Sequence, residues 1–236
     1  MSELSALRRV GHKGADHIAP GNTAASFDAA LEHGVDMIEF DVLPEEMHDP
    51  QGSRLLLSHD YDHDLSAALT LEQGLAHLAA SDVELDVDLK LPGYEARVVE
   101  ALRAHGLVER ALVSSTFMRS LVALRALEPG LRLGWSVPRA RRDYTASRLW
   151  MLPAYAMVAR IRRRLPAVAR EHLTARRCDA IMAHWRLVSP ALVEAVAAAG
   201  GELYVWTVDD APRIRALEAM GVTGVITNDP RLFDTA

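Results

Sequence analysis

Short apolar runs with strand character alternate with amphipathic helical runs along the whole 236-residue chain. Parallel strands need a crossover between them, and an amphipathic helix is the usual one, so this order demands a parallel sheet sheathed by helices. The strand-like runs fall at residues 8–13, 36–42, 84–89, 111–115, 131–137, 180–183, 203–208 and 222–227. Helical patterns lie at 22–33, 70–80, 94–105, 118–128, 190–199 and 211–220. Asn22 or Thr23 can cap the first helix, and Gly34 stands just past its end. Residues 55–58 read as one arm of a hairpin excursion after the second strand. Eight β/α units in this length predict a (β/α)8 TIM barrel built as one domain over residues 1–236, with an arginine-rich insertion at 139–177. No G-x-G-x-x-G or Walker sequence occurs, which disfavours a doubly wound nucleotide-binding sheet.

A barrel gathers its chemistry at the C-terminal ends of its strands. His12, Asp41, Lys90 and Thr207 all stand at such ends. In Met37-Ile38-Glu39-Phe40-Asp41-Val42 the strand period puts Glu39 and Asp41 on one face of an otherwise apolar run. Two adjacent carboxylates repel and are costly to bury unless protons or a cation neutralise them. A divalent metal resolves this, and oxygen ligands suit Mg²⁺ or Ca²⁺. Asp86 shares a face with Asp88 deeper in its strand and reads as a buried hydrogen-bonding group. His63 reads as a polar loop residue and His17 as a loop residue lining the mouth.

Charge is distributed unevenly. Residues 139–177 hold eleven arginines against Asp143 and Glu171, a surplus of +9, which leaves −15 for the remainder of a chain whose net charge is −6. The only two lysines, Lys13 and Lys90, stand beside the candidate site residues. Residues 149–158 form an apolar patch flanked by arginine, too short to span a bilayer yet suited to an interface. Three readings follow: a helix packed on the barrel, a lid or peripheral membrane contact, and, least favoured, nucleic-acid binding, for which no recognition module is present. The single cysteine, Cys178, fits a reducing compartment, and the first residues lack an apolar signal core, so a cytoplasmic location is expected.

With these motifs in order, the sequence resembles the glycerophosphodiester phosphodiesterase family. The resemblance is carried by His12-Lys13-Gly14, Pro20-Gly21-Asn22-Thr23, Ile38-Glu39-Phe40-Asp41-Val42, Ser58-His59-Asp60, Asp88-Leu89-Lys90, Val205-Trp206-Thr207-Val208 and Gly224-Val225-Ile226-Thr227-Asn228-Asp229-Pro230. It implies a TIM barrel that cleaves glycerophosphodiesters to an alcohol and glycerol 3-phosphate with a divalent metal. By position, His12 and His59 correspond to paired acid/base histidines, and Glu39, Asp41 and Asp88 to the metal ligands. Lys13 and Lys90 would meet the phosphate, and Trp206 would form an aromatic wall. Histidine suits both proton roles because its ordinary pKa is about 6.5.

The chain departs from the family pattern at four places. Lys13 stands where arginine is usual, Gly21 where a glutamate is usual, Asp88 where a longer glutamate is usual, and Asn228 where aspartate is common. The last substitution reads as one of little consequence. Two further expectations stay open: a lysophospholipase-D-like action on lysophospholipids, favoured if the apolar patch guides an acyl chain, and a catalytically lapsed barrel that binds phosphodiesters or anionic membranes, which Lys13, Gly21 and Asp88 motivate.

Overall fold

The computed structural model describes residues 6–62, 64–138 and 151–234. His63 and residues 139–150, with four of the eleven arginines of the arginine-rich segment, lie outside them. Among the described residues nine strands form one sheet: β1 (Arg8–His12), β2 (Met37–Pro44), β3 (Leu55–Leu57), β4 (Glu84–Leu89), β5 (Ala111–Ser115), β6 (Arg132–Val137), β7 (Ala180–His184), β8 (Glu202–Trp206) and β9 (Gly224–Thr227). Eight are parallel, and β1 pairs with both β2 and β9, which closes the barrel. β3 is antiparallel and extends the end of β2, pairing Val42 with Leu57 and Pro44 with Leu55. The expected (β/α)8 architecture is therefore present, hairpin arm included.

The sequence terminates its helices by the expected devices. In α1 (Ala24–Glu32) the cap is Thr23, whose side chain accepts from Ser26 N, and Gly34 takes up φ +62° beyond the end. α2 (Leu71–Leu78) has a Thr70–Gln73 capping box, and α3 (Glu95–Ala104) and α4 (Met118–Leu127) follow. α6 (Pro190–Ala198) starts behind Ser189 and α7 (Ala211–Ala219) behind Asp210, each with a proline in its first turn.

α5 (Met151–Thr174) differs from its neighbours in length. Its 24 residues extend about 36 Å, whereas the five-residue strands beside it rise only about 17 Å. Leu165, Ala169 and Leu173 form the buried stripe. Leu173 lies against Gly201 at the N-terminal end of β8, where a Cβ would meet it at 2.6 Å. At the other end of the barrel the helix touches the 3-10 turn Trp185–Leu187 that follows β7. The helix therefore runs the full height of the barrel wall.

Strand register sorts the inward-facing side chains into rings. At the N-terminal ends Arg8, Glu84, Arg132 and Glu202 come from alternate barrel strands, the layering that a closed eight-stranded barrel imposes. Above them an inner apolar plug comprises Val10, Met37, Leu112, Ala180, Met182, Tyr204 and Ile226. A much larger apolar cluster lies outside the sheet, under the helices, and includes Phe27, Ile38, Phe40, Leu85, Val87 and Leu133. Above the plug the interior turns polar again.

Candidate active site

Two strands supply most of the polar mouth. β2 carries Glu39 and Asp41, and β4 carries Asp86 and Asp88, with Lys90 immediately beyond. Their register sets Glu39 opposite Asp86 and Asp41 opposite Asp88, so four carboxylates share one corner of the barrel. Asp41 and Asp86 are completely enclosed, and Glu39 is 5% exposed. Oxygens of Glu39, Asp41 and Asp88 lie within 4.8 Å of one another, an arrangement that could hold a metal ion.

Each carboxylate is held by a different contact. Asp41 Oδ2 accepts from Asn22 Nδ2 at 3.0 Å, while Asp41 N donates to Asn22 Oδ1 at 3.1 Å. This two-way clamp requires the backbone of Asn22 at φ +60°, a left-handed conformation that asparagine tolerates better than most residues. Asp41 Oδ1 has no directional hydrogen bond and meets only the ammonium of Lys90. Lys90 also donates to Asp88 Oδ2 at 2.5 Å, and Ser114 Oγ reaches Asp88 Oδ1 at 3.4 Å. Glu39 Oε2 accepts from Lys13 N at 2.9 Å. Asp86 Oδ1 is buried with no hydrogen-bond partner, so the hydrogen-bonding role expected for this residue is incomplete.

The electrostatics follow from crowding. Burial, and then the charge of Asp41, push the Glu39 carboxyl well above its ordinary range. Burial and Asp88 raise Asp86 to about 8. Burial also works against the charge of Asp41, but Lys90, His59 and His12 outweigh it and hold that carboxyl below the usual range. Lys90 is desolvated, yet Asp41, Asp88 and Glu39 keep its ammonium protonated far above its ordinary pKa. The hard oxygen donors of Glu39, Asp41 and Asp88 fit a divalent cation. Among the described residues, Lys90 is the cation that now touches Asp41 and Asp88.

Both motif histidines face the same space. A cavity of about 390 Å³ at the mouth is lined by His12, His59, Glu39, Asp88, Lys90 and Trp206, with Ser114, Thr116, Phe117, Ser136 and Thr207 around them. His12 closes β1; its Nδ1 lies 2.6 Å from Asn228 Oδ1 and its Nε2 3.8 Å from Glu39 Oε2. Burial lowers its pKa against the pull of Asp41 and Asn228. His59, on the loop after β3, is half-exposed, with Nδ1 3.0 Å from Asp60 Oδ2. Trp206 donates from Nε1 to Met182 O at 2.8 Å, and His184 stands edge-on to its ring at 5.2 Å.

Lys13 is not brought to this cavity. Its ammonium turns to Asp16, 3.5 Å away, and a Cβ at Gly21 would meet Asp16 Oδ1 at 2.6 Å and Lys13 Cβ at 2.8 Å. His17 is exposed on the loop beyond β1 and is likewise absent from the cavity wall. Three residues matter to the geometry beyond their sequence expectations: Asn22 is more than a cap, Asn228 is not inconsequential, and Asp209, which holds Asn228, belongs to no expected set. The polar motifs Pro20-Gly21-Asn22-Thr23 and Thr227-Asn228-Asp229-Pro230 were the available signals.

Comparison with known proteins decides the family. The profile of the Glycerophosphoryl diester phosphodiesterase family matches residues 12–43 and 57–232. The chain belongs to this family. It is thereby a phosphoric diester hydrolase by descent, as its motifs had suggested. A curated relative, the Glycerophosphodiester phosphodiesterase of Caldanaerobacter subterraneus subsp. tengcongensis, is 24% identical and covers 94% of this chain and 93% of its own. Among solved structures, a putative glycerophosphoryl diester phosphodiesterase from Agrobacterium tumefaciens str. C58 superposes with a TM-score of 0.77 at 19% identity, covering 98% of this chain and 97% of the other. A phosphodiesterase of Oleispira antarctica, solved with the product sn-glycerol-3-phosphate, gives 0.72 at 20% identity over 97% of this chain and 95% of the other.

Proposed function

We propose that this glycerophosphodiester phosphodiesterase family member hydrolyses glycerophosphodiesters to an alcohol and glycerol 3-phosphate, with one divalent cation held by Glu39, Asp41 and Asp88. The observation that carries the reading is the single cavity wall shared by His12, His59, Glu39, Asp88 and Lys90, with the oxygens of Glu39, Asp41 and Asp88 within 4.8 Å of one another. When bound, Mg²⁺ or Ca²⁺ would offset negative charge developing on the phosphoryl oxygens. Lys90 adds a second positive charge at the same place, and Trp206 offers a flat wall beside it. His12 and His59 divide the proton transfers: one takes the proton of the attacking hydroxyl, from water or from the glycerol itself, and the other gives a proton to the departing alcohol oxygen. Lys13, turned to Asp16, is outside this set in the conformation described.

The test is release of glycerol 3-phosphate from glycerophosphocholine. Turnover should require Mg²⁺ or Ca²⁺, stop with a chelator and collapse in His12→Ala and His59→Ala. Absence of turnover across a panel of glycerophosphodiesters, with the metal present, would refute the activity and favour a lapsed binding barrel.

A second reading concerns the substrate's tail. α5 packs beside the turn Trp185–Leu187 that follows β7, Met157 is 52% exposed, and Arg160, Arg162, Arg163 and Arg164 are exposed without ion pairs among the described residues. A basic, partly apolar helix face at that end of the barrel suits an anionic lipid surface, which would present lysophospholipids to the cavity. No described helix is long and apolar enough to cross a membrane. We therefore propose a one-domain cytoplasmic protein with peripheral membrane contact through α5. Faster cleavage of acylated than deacylated substrates, together with sedimentation on phosphatidylserine vesicles, would favour this reading; equal rates and no sedimentation would exclude it.

A further inference from the structure

We propose that Asp209 is a positioning residue: through Asn228 it fixes His12 as the Nδ1–H tautomer and so makes His12 Nε2 the proton-accepting atom of the site. The inference rests on the acid/base reading of the two histidines and adds to it a division of labour.

Asp209 lies on the loop after β8, next to the loop after β9 that carries Asn228. Its carboxylate accepts from Asn228 N at 2.8 Å and Thr227 Oγ1 at 3.0 Å through Oδ1, and from Asn228 Nδ2 at 2.7 Å through Oδ2. A carboxylate offers acceptors only, so the amide atom facing Asp209 must be the NH₂ group. That settles the amide orientation by chemistry, and Asn228 Oδ1 must then be the atom 2.6 Å from His12 Nδ1. An amide oxygen also only accepts, so Nδ1 must carry the hydrogen. A neutral imidazole has one ring hydrogen, which leaves the lone pair on Nε2. Nε2 is the ring atom on the side of Glu39, and His12 lines the cavity.

His59 has the opposite setting. Its Nδ1 lies 3.0 Å from a carboxylate oxygen of Asp60 on the loop after β3, in a half-exposed position and with a carboxylate, not an amide, as its partner; it takes the complementary, proton-donating part. The proton balance follows. The hydrogen of the attacking hydroxyl passes to His12 Nε2 as its oxygen bonds to phosphorus. The bond from phosphorus to the leaving alcohol oxygen breaks with its electron pair on that oxygen, and His59 supplies the proton there.

The test combines structure, spectroscopy and kinetics. With ¹⁵N-histidine labelling, two-bond ¹H–¹⁵N correlations of the metal-free protein at pH 8 should show His12 protonated on Nδ1. In Asp209→Ala the Nε2–H tautomer should appear, and kcat should fall about ten- to a hundredfold with KM unchanged. Asp209→Asn should behave alike, and adding Asn228→Asp to it should restore both the tautomer and much of kcat, because the carboxylate then faces Nδ1–H directly. Circular dichroism checks that each variant folds. Nε2–H in the wild type, or full kcat in Asp209→Ala, would overturn the proposal. The tautomer is read without substrate, so a failed assay for phosphodiester hydrolysis would strike the proposed function and not this assignment.

Discussion

At the strand N-termini, Arg8, Glu84, Arg132 and Glu202 alternate in sign around one ring; at the C-termini, Glu39, Asp41, Asp86 and Asp88 crowd against Lys90. The lower ring is paired throughout. Glu84 accepts from Arg8 and, at 2.7 Å, from Arg132, whose other nitrogen reaches Glu202 at 2.8 Å. Two positive charges meet two negative ones, and no ligand is needed. The upper cluster has more carboxylates than internal cations, one unpaired buried oxygen on Asp86, and carboxyl groups pushed up in pKa. Seven apolar side chains separate the two. One barrel interior thus contains a charge set that completes itself and another completed only by protons or a bound cation, which is the difference between a structural plug and a site.

The largest expected effect separates the two by activity. Glu39→Gln should lower kcat/KM by about 10³-fold, roughly 4 kcal/mol of transition-state stabilisation, while the melting temperature holds or rises because Glu39 is the carboxylate that burial and the charge of Asp41 disfavour. A variant that melts far below wild type would class Glu39 with the structural ring. Next in size is ligand stabilisation. Mg²⁺ or Ca²⁺ at about 100 times its Kd should add about 2.7 kcal/mol to folding, equally in wild type and Glu84→Gln, and far less in Asp88→Asn. Thermal melts with and without chelator measure it, and an equal gain in all three would move the cation elsewhere.

Glu84→Gln probes the lower ring itself. It leaves two part-buried guanidinium groups short of a partner and should cost about 2 kcal/mol in a denaturant titration, with kcat unchanged. The smallest effect is in pH. Between pH 7 and 9 the unfolded Asp86 carboxyl is ionised throughout, whereas the folded one, raised to about 8, still binds a proton at the lower limit. The folded state therefore holds more protons and loses stability as pH rises through that window. Metal-free wild type should lose more stability over it than Asp86→Asn, whereas Glu84→Gln should follow the wild-type slope. Parallel slopes for wild type and Asp86→Asn would show that Asp86 titrates outside the window.

The strands and helices were legible because their signals are local. Alternation placed Glu39 and Asp41 on one face, and Thr23, Thr70, Ser189 and Asp210 stand where a helix needs a side-chain acceptor. Register then brought Asp88 beside Asp41, a step that motif order suggested but periodicity alone does not give. What stayed hidden depends on contacts between distant segments. Nothing in the run Thr227-Asn228-Asp229 indicates a bond to His12, and nothing in His12-Lys13-Gly14 shows that Lys13 turns to Asp16 while its backbone N–H holds Glu39. Charge proximity to a motif was a poor guide for Lys13 and a good one for Lys90, because φ +51° at Lys13 bends the chain away from the strand direction that Lys90 continues.

The contact between His12 and Asn228 joins residues 216 positions apart, across the seam where β1 meets β9. Such a bond carries a large loop-closure cost and belongs to the late stages of folding. Helices and the β2–β4 carboxylate corner can form from shorter-range pairings, but the orienting partner of His12 arrives only when the ring is sealed. Turnover should therefore return after helical signal during refolding, so that a half-made barrel stays inert.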